Sequence, residues 1–404
     1  MKKVDGKTVV PVYLLDNSVK QLLVEDWATA KDVVLQMCVK IGLKDVDRFA
    51  NCFCLCETRD GVTMEHPLKG DTAVIPVLAA WGDAPRARLV FMVKLFMDSV
   101  KASTEKALVY SLYIQSVYNV VTGIYPTSTD DAVSLASLQM QEKFGNHNPA
   151  AHVKGYLSHQ LKGMVPAPLY ARKAPSMWES SILERHSQLN DEARAAPALL
   201  YSRILQTREY FGCAFFPVTQ TVFPELPSAV QVGITSYGIY IFDDVSKATH
   251  KRFALSTIYR WGFKPDESFY FELKSAHPGQ GPFYEFPTVE GSFASDLLTD
   301  YAHQMLHEIE LNKQQESAAA SAAAAAEEEA AAAAAAEADR LVTANRERAA
   351  AVRLQSLYKG YQVRSSLHKK FAAVRIQALV RGFIARCRFD AMIAELEAEL
   401  EAED

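Results

Sequence analysis

Two runs near the C-terminal end repeat one arrangement: an apolar residue, Gln, a basic residue at position six, Gly at seven and a basic residue at eleven. Ile376, Gln377, Arg381, Gly382 and Arg386 fill it, and Leu354, Gln355, Lys359, Gly360 and Arg364 fill it again twenty-two residues earlier. On a helix, Ile376, Val380 and Phe383 share a face at i, i+4 and i+7, as do Leu354, Tyr358 and Tyr361. Apolar anchors in a basic surround suit a helix that lies in the groove of an acidic partner. Residues 341–389 hold eleven Lys or Arg and one acid, Glu347, a charge of about +10. Attraction to an acidic lobe is therefore strong at low salt. Charge alone also suits a basic helix on an anionic membrane or a solvated coiled-coil strand.

The doubled pattern resembles the IQ motif, by which myosins and many scaffolds hold calmodulin or a related EF-hand light chain. The resemblance implies that Leu354, Gln355, Tyr358, Lys359, Gly360, Tyr361 and Arg364 grip one such chain. Ile376, Gln377, Val380, Arg381, Gly382, Phe383 and Arg386 would grip a second. The terminal run 391–404 has six acids and no base, and is expected to compete for the basic helix when no light chain is bound.

Residues that could do covalent chemistry form no recognisable constellation. The chain has ten His and 48 acids, so chance groupings are easy. His147, His152 and His159 do not have the spacing of a helix-borne zinc pair such as H-E-x-x-H, and no phosphate loop, G-x-S-x-G elbow or paired C-x-x-C occurs. Turn geometry accounts for Pro278-Gly-Gln-Gly-Pro282. Cys52, Cys54 and Cys56 recur every second residue, as on one face of a strand, whereas zinc ligands come as spaced pairs. No catalytic residue, metal or cofactor is expected, and no enzyme. The six cysteines read as reduced cytosolic thiols. Residues 1–10 hold no apolar core of a secretory signal, and no apolar run reaches the ~18 residues of a membrane span. The basic block matches no nucleic-acid-reading fold, so no nucleic acid is expected among the partners.

The length, 404 residues, leaves room for two or three domains of ~100–200 residues. Residues 9–15 and 20–25 read as strands joined by the turn formers Asp16-Asn17-Ser18. Thr29 with Asp32 resembles a capping box before the apolar stripe Ala30, Val33, Val34, Met37, Cys38 and Ile41, which Gly42 ends. Strands are expected at 53–57, 73–78 and 88–96, giving a ubiquitin-like β-grasp. From 104 to 207 the period is helical, with stripes from Leu108 to about Gly123 and over 130–144 and proline joints at 165–169 and 174–175. The period returns to two over 212–291, with strands at 212–220, 230–236, 239–243, 253–260, 268–273 and 283–289. Phe293, Leu297, Tyr301, Met305 and Ile309 then recur every four residues on a closing helix. The Ala- and Glu-rich stretch 316–340 reads as a helical spacer, Ala being the best helix former, or as disorder.

A β-grasp lobe, a helical lobe and a PH/PTB-like sandwich, in that order, resemble a FERM domain of the kind in the talin head and in myosin and plant kinesin tails. The carriers are Lys31-Asp-Val-Val-Leu-Gln-Met-Cys-Val-Lys-Ile-Gly-Leu43, Phe144-Gly-Asn-His-Asn-Pro-Ala-Ala-His-Val-Lys-Gly-Tyr156 and Tyr210-Phe-Gly-Cys-Ala-Phe-Phe-Pro-Val218. The fold class expected is α+β and multidomain. The lobes are placed at 7–98, 99–207 and 208–311, the spacer at 312–345, the two IQ motifs at 346–390 and an acidic tail at 391–404. The resemblance implies a cytoplasmic recruitment module at the cytoskeleton or membrane cortex. Its partners would be receptor-tail or cytoskeletal peptides, phosphoinositides and, through the IQ motifs, calmodulin or a similar light chain. It also implies that Arg260 and Trp261, standing where talin-like third lobes carry an Arg-Trp pair on the fifth strand, line a peptide groove; Trp261 as a plain core residue is the alternative. No stretch resembles a motor domain or talin's rod, so force-bearing linkage to actin is not expected. The rival to the light-chain reading is a passive membrane–cytoskeleton linker whose basic helix binds anionic lipid.

Overall fold

The turn at Asp16-Asn17-Ser18 sets the first lobe. Asp16 Oδ1 accepts the Ser18 N–H at 2.9 Å and the Ser18 hydroxyl at 2.6 Å, and Asn17 takes φ 65°, a left-handed conformation that Asn tolerates. The computed structural model describes residues 3–65, 67–277, 279–344, 358–363, 365–367 and 370. Strands β1 (Lys3–Val4), β2 (Lys7–Tyr13) and β3 (Val19–Val24) lead to helix α1 (Ala30–Lys40). Both halves of the capping box form: Thr29 Oγ1 accepts the Asp32 N–H at 3.3 Å, and Asp32 Oδ2 accepts the Thr29 N–H at 2.9 Å. The buried face of α1 is Ala30, Val33, Val34, Met37 and Cys38. Helix α2 (Val46–Phe49), β4 (Phe53–Thr58), α3 (Val74–Ala80) and β5 (Arg88–Val93) complete the lobe. Its sheet runs β1-β2-β5-β4 with β3 also on β2, and β2 and β5 are parallel.

One expected strand, 73–78, is corrected: residues 74–78 belong to α3, and Ala73 is its extended N-cap. Pro76 lies in the first turn of that helix, where an N–H has no intrahelical acceptor to lose, whereas in a strand it would remove a ladder bond. All of β4 is buried, and Cys54 Sγ lies 3.9 Å from Cys56 Sγ. Cys52 sits in the 3-10 turn before it, so the three thiols are packing groups.

Helices α4 (Asp98–Ala102), α5 (Lys106–Thr122), α6 (Thr129–Phe144), α7 (Ala167–Tyr170), α8 (Pro175–Ser187), α9 (Asp191–Ala195) and α10 (Pro197–Gln206) form the second lobe. The prolines open α8 and α10, where a fixed φ costs nothing. Trp178 and Ile182 of α8 pack with Met140, Leu157, Leu161 and Val165 in its core. Between α6 and α7 the chain is held by Glu179 of α8, which is buried and accepts the N–H groups of Gly155 at 2.9 Å and Leu157 at 2.7 Å.

The third lobe has β6 (Ala214–Thr219), β7 (Ala229–Thr235), β8 (Gly238–Asp243) and β9 (Thr249–Ala254) in one antiparallel sheet. Strands β10 (Ile258–Lys264), β11 (Ser268–Leu273) and β12 (Phe283–Pro287) form another, and α11 (Gly291–Ala344) follows. The single strand expected over 253–260 is two strands. β9 pairs with β8 and β10 pairs with β11, so the chain turns a corner between sheets, through a 3-10 turn at Leu255–Thr257. Phe253, Phe271, Phe286 and Tyr284 meet inside, and Ala294, Leu297, Leu298 and Tyr301 of α11 are buried. The Ala- and Glu-rich run up to Ala344 continues α11 as helix.

Where the lobes meet, side chains complete main-chain hydrogen bonding. Gln115 of α5 is 4% exposed; its Oε1 accepts the Val93 N–H at 2.8 Å and its Nε2 donates to the Val93 carbonyl at 2.9 Å. Tyr125 Oη accepts the Gly212 N–H at 2.8 Å, and Tyr301 Oη accepts the Phe96 N–H at 3.2 Å. Lys94 pairs with Asp300, and Phe96 meets Phe211 edge-on at 5.5 Å. Gly212 has φ +74°, and a Cβ there would come within 2.6 Å of Phe96; only glycine fits. Gln115→Leu strands both Val93 groups, and the expected loss is about 2–4 kcal/mol in urea unfolding, with a cost under ~0.5 kcal/mol contradicting this account of the seam.

Candidate functional site

Strand β10 is an edge. Among the described residues it pairs with β11 and with no second strand on its other side. An edge strand presents main-chain groups to which an extended peptide can add. Successive side chains on a strand point to opposite faces, so Arg260 and Trp261 flank this edge from two sides. Trp261 stands opposite Phe271 and Arg260 opposite Glu272 in the register. Trp261 is half-buried, and its Nε1 donates to Thr299 Oγ1 of α11 at 3.2 Å, so it is neither a closed core residue nor a free one. Arg260 Nε donates to Glu272 Oε2 at 2.8 Å, and Glu272, 2% exposed, also accepts the Gly281 N–H on Oε1 at 3.0 Å. The guanidinium is thus held by a buried carboxylate while remaining partly open to solvent. A second hollow of about 350 Å³ lies between α6 and α8. Two of its charges pair with each other, Arg185 with Asp130 at 2.9 Å, and Arg185 also donates to Ser134 Oγ at 2.5 Å.

Of the residues expected to hold a light chain, Tyr358, Lys359, Gly360 and Tyr361 are described, on helical backbone. Tyr361 is 72% exposed, and Tyr358, Val363 and Leu367 are exposed too. Tyr358 Oη accepts from Gln362 Nε2 at 3.2 Å, one turn on. Leu354, Gln355 and Arg364, and all of Ile376, Gln377, Val380, Arg381, Gly382, Phe383 and Arg386, lie outside the described residues, as does the acidic tail.

One cluster was not legible at all. His147 and His152, in the loop after α6, meet His186 of α8, and His159 is not in the group. The ring centres form a near-equilateral triangle of 5.4, 5.7 and 5.5 Å. His186 Nε2 lies 2.9 Å from Gln141 Oε1 and 3.1 Å from the Gly145 carbonyl, so it carries the proton. Burial lowers the His186 pKa to about 4, with His152 and His147 adding to the effect against the Gly145 bond. His152 is lowered as well, by burial and then by His147. Among the described residues this is the group of three whose ligand atoms, within 4.8 Å of one another, could hold a metal ion. No spacing rule would have joined His186 to the other two, which stand 39 and 34 positions before it.

Comparison with known proteins agrees with the lobes. Family models match as an RA like domain over residues 6–96, the FERM central domain over 98–216, a PTB domain (IRS-1 type) over 216–306 and the IQ calmodulin-binding motif over 348–368 and 372–390. Talin-B of Dictyostelium discoideum is 25% identical over 292 residues, covering 72% of this chain and 10% of Talin-B. The chain spans about a tenth of the length of the talins that it matches. In structure it is similar to the FERM and C-terminal domain complex of Drosophila Merlin, with TM-score 0.60 and 19% identity over 76% of this chain and 98% of that one. The human Myosin 7b C-terminal MyTH4-FERM domain, solved in complex with the harmonin-a PDZ3 domain, gives TM-score 0.57 and 19% identity over 74% and 61%. The FERM and IQ modules that match are typical of non-catalytic adaptors. With three lobes in FERM order, each matched by its own model, and two IQ motifs after them, the chain belongs to the FERM-domain proteins and is related to the talins and class VII myosins.

Proposed function

We propose that the chain is a non-enzymatic adaptor working at the cytoskeleton or membrane cortex. Its third lobe takes an extended receptor-tail or cytoskeletal peptide as an added strand beside β10. Its IQ segments carry calmodulin or a related EF-hand light chain, and its head can also meet a phosphoinositide surface. The observation that carries the peptide reading is the open edge of β10 with Trp261 and Arg260 on its two sides. Main-chain bonds along such an edge supply affinity and the flanking side chains supply choice, and Trp and Arg are among the residues most enriched in interface hot spots. Two similar proteins lend support from the complexes in which they were solved: the Merlin FERM domain with its C-terminal domain, and the Myosin 7b C-terminal MyTH4-FERM domain with a harmonin PDZ domain. For the IQ segment the support is the doubled motif with its basic surround and the exposed apolar side chains at Tyr358, Tyr361, Val363 and Leu367. Among the described residues no helix is long and apolar enough to cross a membrane.

Arg260→Ala leaves the buried Glu272 carboxylate without its cation and is expected to cost about 1–3 kcal/mol in urea unfolding; adding Glu272→Gln should restore part of it. Peptides selected on the full chain from a random library should lose ~10-fold or more in affinity on Trp261→Ala, with the circular dichroism spectrum kept. Unchanged affinity would move peptide binding off this edge. For the light chain, the full protein is mixed with calmodulin in calcium and in chelator at physiological salt. Ile376→Ala with Gln377→Ala should weaken calmodulin by ~10-fold or more and barely alter binding to phosphatidylserine vesicles, which charge alone drives. Vesicle binding without calmodulin binding in either condition would favour the lipid-linker reading.

A further inference from the structure

The His147, His152 and His186 group has the donor set and spacing of a transition-metal site, with unpartnered Nδ1 atoms on His147 and His186. Imidazole nitrogens suit Zn2+, Cu2+ or Ni2+, and Zn2+ with three His ligands and an open fourth position is a common arrangement. Zn–N bonds of about 2.0–2.1 Å at tetrahedral angles put bound ring centres about 5 Å apart and nitrogens about 3.4 Å apart. The rings here already stand 5.4–5.7 Å apart. The ligand atoms lie within 4.8 Å of one another, so closing on an ion draws them together by up to about 1.4 Å.

Two further observations single these rings out. His186 is 1% exposed, and its Nδ1 is buried with no hydrogen-bond partner, as is His147 Nδ1. Buried polar atoms without partners are uncommon and call for an explanation. The opposite nitrogen of His186 is oriented by the Gly145 carbonyl and Gln141 Oε1, the carbonyl contact that metal-bound histidines use to fix their tautomer and strengthen the donor. One adjustment is needed. His152 Nδ1 accepts the Asn148 N–H at 3.2 Å, and an ion would take over that lone pair.

We propose that His147, His152 and His186 bind a divalent transition metal, Zn2+ by preference, which pins the loop after α6 onto α8. Glu179, two turns before His186 on the same helix, already fastens that loop through the Gly155 and Leu157 amides. The ion would be a second fastening at the loop's other end.

The test uses the full chain without a polyhistidine tag, stripped with chelator. It is titrated with Zn2+ by calorimetry and with Co2+ by visible absorption, and its melting is followed with and without Zn2+. Expected are one equivalent bound with Kd under ~10 μM, a raised melting temperature and cobalt bands without a thiolate charge-transfer feature. His147 is only half-buried, so His147→Gln should fold and lose affinity by about 100-fold together with the melting shift; His152→Gln should do the same. No binding at ~100 μM Zn2+, binding that survives both substitutions, or a thiolate signature from the cysteines would each overturn the proposal.

Discussion

Three main-chain amides at the passages between lobes take side chains as their hydrogen-bond acceptors. Val93, Phe96 and Gly212 lie where one lobe passes into the next, and each N–H is met by a buried side chain from elsewhere: Gln115, Tyr301 and Tyr125. A chain crossing between lobes loses water without gaining a ladder, and a buried amide left alone costs as much as a lost hydrogen bond. The seam solves this with long, stiff or bidentate side chains whose partners are dictated by geometry. Phe96 packs on Phe211 and excludes any side chain at position 212, so the passage into the third lobe has one path. The open edge of β10 has a defined position within the head because these contacts fix the lobe that carries it.

The edge is organised before any partner arrives. Glu272 is bonded on both oxygens, to Arg260 and to the Gly281 amide, and Trp261 is tied to Thr299. Side chains whose rotamers are already set lose less freedom on binding. The ion pair by itself is a weak source of stability, since burying a carboxylate offsets much of its attraction. Its effect is to hold the guanidinium against β11, whose Glu272 stands opposite Arg260 in the register.

What could be read from sequence was what local rules decide. Thr29 and Asp32 lie three residues apart, and their reciprocal bonds depend on nothing distant. Gly123 after α5, the proline opening α8, and the four-residue stripe of α11 are local in the same way. The failures had non-local causes. Residues 73–78 are apolar enough for either strand or helix, and only the position of Pro76 in a first turn decides. The break at Leu255–Thr257 exists because β9 and β10 belong to different sheets, which no periodicity within 253–260 records. His186 reaches His147 and His152 only through the packing of α8 on α6.

A strand edge that welcomes a peptide would welcome another copy of itself, and long flat edges drive aggregation. β10 is short on both sides. A register shift between Ile258 and Arg260 interrupts it at one end, and at the other Lys264 is paired with Glu285 at 2.7 Å beside the turn into β11. That leaves roughly 15 Å of regular edge at ~3.3 Å per residue, enough for a handful of residues and too little for a self-templating sheet. The irregularities that bound this edge therefore guard against self-association, and a substitution that smoothed the bulge would lengthen the edge open to another copy.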